Sequence, residues 1–176
     1  MNLRHLTYQS HVFAEPPALR DLLQRAPSVR RALFVDGVPK GFIGRRYTAD
    51  SSVALLEQEG REQILRFGSS GLSDAIGVDL VTGHVVEIID VRAFASLFVN
   101  TSIEQFTQTV KAIIDRFPYY DRDTTDEEIQ AIASELLHTI RSIDSEAAVP
   151  DRYWSTFVDD VEIGDLSTEA ILAIDG

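Results

Sequence analysis

The chain contains no cysteine, which excludes disulfides, cysteine metal ligands and thiol nucleophiles and is typical of a reducing compartment. Its apolar runs are all shorter than the roughly 20 residues needed to cross a bilayer. The first residues, MNLRHLTYQSHVF, lack the apolar stretch of a secretory signal. We therefore expect a cytoplasmic protein that does not enter a membrane.

Signatures of catalysis and cofactor binding are also missing. The chain has no GxxxxGK[ST], GxGxxG, HExxH or EF-hand pattern, and its four histidines are scattered. The sequence therefore predicts no catalytic residues, no cofactor and no metal site, and we expect a protein that is not an enzyme. A metal-dependent hydrolase that uses scattered acids stays open as an alternative, and it would need carboxylates that converge in one pocket.

Acidic residues are plentiful, and their excess over basic residues lies entirely in one half of the chain. Residues 1–88 carry 10 basic and 10 acidic residues, whereas residues 89–176 carry 6 basic and 18 acidic residues. A negative field repels nucleic acid and anionic membranes and attracts basic proteins. The pattern predicts either a solvated face that maintains solubility or a docking surface for a basic partner.

The length and composition predict one domain over residues 1–176, with a loosely ordered segment at residues 1–15. The chain has 176 residues and 44% hydrophobic residues, enough for a sizeable core. Two β-branched runs at 75–81 and 84–90, joined at Thr82-Gly83, predict an antiparallel hairpin. The part of the chain from 45 to 62 has no assigned role.

Helix signals surround this hairpin. Capping-box patterns at Thr101/Glu104 and Thr125/Glu128 each precede an apolar stripe and predict two helix starts. Pro150 predicts the start of a third helix, which carries Trp154 on its apolar face. Shorter elements are predicted as a helix opening at Pro16-Pro17, a strand over 32–36 and a turn over 37–39.

Several of these segments together resemble the SUKH superfamily, most closely its fourth subgroup of immunity proteins. The resemblance covers about residues 33–165 and is strongest over residues 67–106. The residues that carry it are Phe67-Gly68 through Gly71, Ile76-Gly77-Val78-Asp79-Leu80, Thr82-Gly83, Val85-Val86-Glu87, the FVNTSIEQF segment from Phe98 to Phe106, Gly37-Val38-Pro39, Tyr153-Trp154 and Gly164.

The resemblance implies an α+β fold, with a curved, mostly antiparallel sheet flanked by helices and no catalytic residues. Bacterial members of the superfamily serve as immunity proteins of polymorphic toxin systems. Such a protein binds a cognate toxin, often a nuclease or nucleic-acid deaminase, and blocks its action. An alternative is a SUKH-like binding scaffold that regulates another cellular protein.

The acidic half of the chain supplies the candidate partner-binding residues. A toxin that acts on nucleic acid commonly has a basic active-site groove, which an acidic surface would attract. Charge reversal at Asp159 and Asp160 is expected to weaken co-purification with the toxin. The candidates are two possible aromatic anchors and seven acids: Tyr119, Tyr120, Asp121, Asp123, Asp126, Glu127, Asp159, Asp160 and Glu162.

Overall fold

The computed structural model describes residues 7–43, 46–57, 63–71, 74–90, 95–168 and 171. The remaining parts of segments 1–15 and 45–62 lie outside the described residues. Within residues 7–15, a short strand β1 (Ser10–His11) pairs with β2 (Val38–Pro39), and Phe13 is buried in the core.

A curled antiparallel sheet of six strands forms the centre of the molecule, with each strand paired to its neighbours in chain order. The expected α+β class, with a curved sheet and flanking helices, is confirmed. The strands are β3 (Gly41–Phe42), β4 (Tyr47–Glu57), β5 (Gln63–Ser70), β6 (Asp74–Asp79), β7 (Val85–Asp90) and β8 (Ala95–Asn100).

The predicted hairpin is present as β6 and β7. Gly83 has a φ of 79°, which a residue without a Cβ adopts at little cost in a tight turn. The Asp79 carboxylate accepts hydrogen bonds from the backbone N–H groups of Val81 and Thr82 and from the Thr82 hydroxyl. The turn is therefore held by its own side chains, and Val78 pairs with Val85 directly behind it.

Helices cover one face of the sheet. A 3-10 turn at Pro17–Leu19 leads into the first of them, as the proline pair predicts. The helices are α1 (Arg20–Leu23), α2 (Pro27–Arg31), α3 (Ile103–Arg116), α4 (Asp126–Ile143) and α5 (Tyr153–Glu162). In the described part of the chain, no helix combines the length and the apolar character that a membrane span requires.

The starts of the two long helices test the capping predictions. The capping box at Thr125 and Glu128 is confirmed, with the Thr125 hydroxyl and backbone N–H both bonded within the turn. At α3 the prediction is wrong by one residue, because Ser102 is the N-cap and accepts from the Gln105 N–H at 3.2 Å. Thr101 turns away and binds Asp144.

The predictions for residues 32–39 are also wrong. Residues 32–36 form a π-helical turn directly after α2, and residues 38–39 form strand β2. A strand would place Leu33 and Val35 on one face, but Leu33 is fully buried and Val35 is 68% exposed. The apolar run therefore continues the helical winding of α2 until Gly37, whose φ of 83° ends it.

The main core lies between the sheet and the helices. Trp154 is fully buried, as its position on the apolar face predicts, and its ring lies 5.6 Å from Phe42 and 6.3 Å from Phe106. A second, smaller cluster of Ile64, Ala75 and Ile88 lies on the other face of the sheet. Gly77 lies beside this cluster. The position requires glycine, because a Cβ there would come within 2.5 Å of the Ile64 side chain.

A buried polar network joins three helices to the last strand. The Trp154 indole N–H donates to the Asn100 side-chain oxygen at 2.8 Å, and the Asn100 amide donates to the Asp144 carboxylate at 3.0 Å. The same carboxylate accepts from the N–H and the hydroxyl of Thr101, at 2.7 and 2.9 Å. The network therefore fixes the start of α5 against β8, the start of α3 and the end of α4.

Candidate functional site

Three acidic segments meet at one end of the molecule. We call this surface the acidic end and define it as residues 121–123, 126–128 and 159–165. Tyr120 joins the segments, because its hydroxyl accepts from the Leu166 N–H at 2.9 Å and its carbonyl accepts from the Thr168 N–H at 2.9 Å. The acidic end contains nine acidic residues and one basic residue, Arg122, so its local field is strongly negative.

The two predicted aromatic anchors lie beneath this surface. Tyr119 is 3% exposed and donates its hydroxyl to the Ile113 carbonyl at 3.0 Å, while Tyr120 is 6% exposed. Both rings pack the loop between α3 and α4 and are not exposed as surface anchors in this structure. Burial accordingly raises the pKa of both phenols.

Four of the seven predicted acids have a bonding partner or a helix position that stabilises the fold. The Asp121 carboxylate accepts from the Asp123 N–H and the Thr124 hydroxyl within its own turn. Asp126 and Glu127 occupy the first turn of α4, where the helix dipole favours negative charge. Asp160 forms an ion pair with Arg46.

The other three predicted acids, Asp123, Asp159 and Glu162, are exposed. Their carboxylates have no hydrogen-bond or ion-pair partner among the residues that the structure describes. They therefore project charge into solvent without a structural role. The sequence prediction missed two acids of the acidic end: Glu128, which belongs to the capping box of α4, and Asp165, which is exposed.

A cleft lies at the opposite end of α5, between that helix and the sheet. We call it the Glu87 cleft; it has a volume of about 430 Å³ and is lined by Arg46, Ser70, Glu87, Leu97, Arg152 and Tyr153. No sequence motif marks it as a site. One signal was available, because Glu87 follows Val85 by two residues on a strand and must face the same, helix-covered side.

Helix α5 connects the cleft to the acidic end. Thr156 lines the cleft and is exposed, and Asp159 and Ile163 follow at the spacing that places residues on one helix face. Ile163 is 69% exposed. The exposed face of α5 therefore offers a continuous surface with a cleft at one end, an apolar side chain and a cluster of carboxylates at the other.

The described residues contain no group of three or more histidines, aspartates and glutamates placed to hold a metal ion. The Asp121 carboxylate is bonded within its own turn, while Asp123 projects into solvent. Asp159 and Asp160 point in different directions because they are adjacent on a helix. The arrangement is suited to recognition of a cationic surface.

The family model described as SUKH-4 immunity protein matches residues 11–160. No curated protein matches the chain, and no solved structure does. The matched region contains both long helices, all of the described sheet and most of α5.

Proposed function

This chain belongs to the SUKH-4 immunity protein family, and from that premise we propose that it binds and neutralises a cognate bacterial toxin. The protein acts in the cytoplasm as one domain, in a polymorphic toxin system. It works by occluding the toxin and carries out no reaction of its own.

The observation that carries this proposal is the acidic end. Its nine carboxylates come from three segments that the fold brings together, and Asp123, Asp159 and Glu162 are exposed. A surface of this kind accelerates association with a basic partner. The toxin is therefore a protein with a basic groove, of the kind found in nucleases and nucleic-acid deaminases, and nucleic acid itself is not a partner.

The contact surface extends along α5 from the acidic end towards the Glu87 cleft. Stable specific complexes bury about 800 Å² on each partner, more than a cluster of carboxylates alone supplies. The exposed face of α5 provides Thr156 and Ile163 as uncharged contacts beside Asp159.

Co-expression with the toxin encoded beside this chain's gene tests the proposal. We expect the protein to restore growth and to co-purify with the toxin, whereas an unrelated protein of similar net charge restores nothing. Absence of both rescue and co-purification would contradict the proposal. Co-purification with another cellular protein, without rescue, would support a regulatory scaffold instead.

A further inference from the structure

Glu87 lies at a position of the sheet that usually carries an apolar side chain. It follows the fully buried Val85 on β7 and faces the same side, towards α5. Leu97 is its direct partner on β8, lines the same cleft and is 39% exposed. The carboxylate therefore lies in a partly apolar cleft that opens to solvent.

The surroundings of Glu87 disfavour its ionised form. Burial raises the pKa of this carboxyl, and the charge of Asp74 raises it further, while a hydrogen bond from Ser70 and the charge of Arg46 lower it. The net direction is upward. A positive group placed in the cleft would lower that pKa and relieve the cost of desolvating the carboxylate.

Both arginines of the cleft are held by other groups. The Arg46 guanidinium pairs with Asp160 and lies 5.5 Å from the centre of the Phe157 ring. The Arg152 guanidinium stacks 4.4 Å from the centre of the Phe98 ring and donates to the Glu146 carbonyl at 2.6 Å. Neither guanidinium forms an ion pair with Glu87, although the charge of Arg46 reaches it.

We propose that the Glu87 cleft receives a lysine or arginine side chain of the bound toxin, with Glu87 as its counter-ion. This inference rests on the proposed function. The aliphatic stem of the incoming side chain packs on Leu97, and its charged head reaches Glu87. Asp151, at the rim with a φ of 61°, adds a second carboxylate.

The charges of the cleft favour a cation over an anion as the occupant. An anionic group would meet Glu87 and Asp151, and it would have to compete with Asp160 for Arg46 or with Glu146 for Arg152. The volume of the Glu87 cleft, about 430 Å³, lies at the lower end of the range for ligand sites. The acidic end attracts the toxin at long range, and the cleft then fixes one side chain at short range.

Glu87→Gln tests this inference against the toxin domain encoded beside the gene. We expect the dissociation constant to rise tenfold or more, mainly through faster dissociation, because the cationic side chain loses its buried counter-ion. Glu104→Gln is the matched control, since it removes the same charge from an exposed position on α3, and it should change the constant by less than about twofold.

Folding of the variant is checked by its melting temperature. Because the pKa of Glu87 is raised in the folded protein, ionisation of this carboxyl opposes folding. The stability that the neutral carboxyl contributes is fully present below the ordinary pKa of glutamate, and it is lost as the pH rises through the raised value. Glu87→Gln should therefore melt no lower than the wild type at pH 7. The variant and the wild type share the charged and titratable groups around this carboxyl, which are Asp74, Arg46, Asp151, Arg152 and Tyr153.

The outcomes separate the two proposals. A wild-type protein that fails to bind or neutralise the toxin would overturn the proposed function and remove the occupant proposed for the cleft. Wild-type binding with an unchanged constant for Glu87→Gln would overturn the cleft alone. Tighter binding by Glu87→Gln would also overturn it, because it would indicate an anionic side chain at that position.

Discussion

Replacing Asp144 with alanine is expected to lower the free energy of unfolding by about 3–4 kcal/mol. Asp144 is 2% exposed and accepts from the Asn100 amide, the Thr101 N–H and the Thr101 hydroxyl. Alanine would leave these three donors without their acceptor, and each buried unpaired donor costs about 1–3 kcal/mol. The estimate takes the lower part of this range, because Thr101 is half-buried and its two donors are only partly shielded from water.

Urea unfolding monitored by Trp154 fluorescence measures this change, since Trp154 is the only tryptophan and is part of the same network. The melting temperature should fall by about 10 °C. Asp144→Asn should lose less, because its side-chain oxygen can still accept. Asp115→Ala, at an exposed position on α3, is the control and should change stability by less than about 0.5 kcal/mol. Equal midpoints for Asp144→Ala and Asp115→Ala would show that the network does not stabilise the fold.

Reversing the charges of Asp159 and Glu162 together to lysine is expected to slow association with the toxin about tenfold at low salt. Both carboxylates are exposed at the end of α5, so the change alters the field without disturbing the core. Asp160 is left intact, although the sequence suggested reversing it, because its ion pair with Arg46 would be broken. Stopped-flow mixing at several salt concentrations measures the association rate constant.

Salt and position provide the controls for this experiment. The difference between variant and wild type should disappear towards 1 M salt, where charges are screened within about 3 Å. The double variant Glu57→Lys with Glu104→Lys makes the same change in net charge at exposed positions of β4 and α3 and should slow association much less. Equal slowing by both double variants would mean that net charge alone, and not the acidic end, attracts the toxin.

The parts of the fold that sequence analysis predicted correctly are those set by local chemistry. The hairpin at Thr82-Gly83 and the capping box at Thr125 each depend on contacts within a few residues. The π-helical turn at 32–36 could not be predicted in this way, because an apolar run of five residues fits a strand as well as a buried helical turn. Burial of Leu33 between distant segments decides between them.

The candidate site was predictable only in its charge. The excess of acids in residues 89–176 indicates a negative surface, but which acids stay exposed depends on partners far away in the chain. Asp160 is neutralised by Arg46, which lies 114 residues earlier, and Tyr120 is covered by the segment after α5. The Glu87 cleft combines residues from β5, β7, β8 and α5, so no local pattern describes it.

Titration of the purified toxin domain with this protein tests the central claim most directly. A protein that neutralises by occlusion should reduce the toxin's activity on its own substrate in proportion to the amount added, reaching zero at one equivalent. Loss of activity at a small fraction of an equivalent would mean that the protein acts catalytically on the toxin. Full activity in the presence of a large excess would contradict neutralisation altogether.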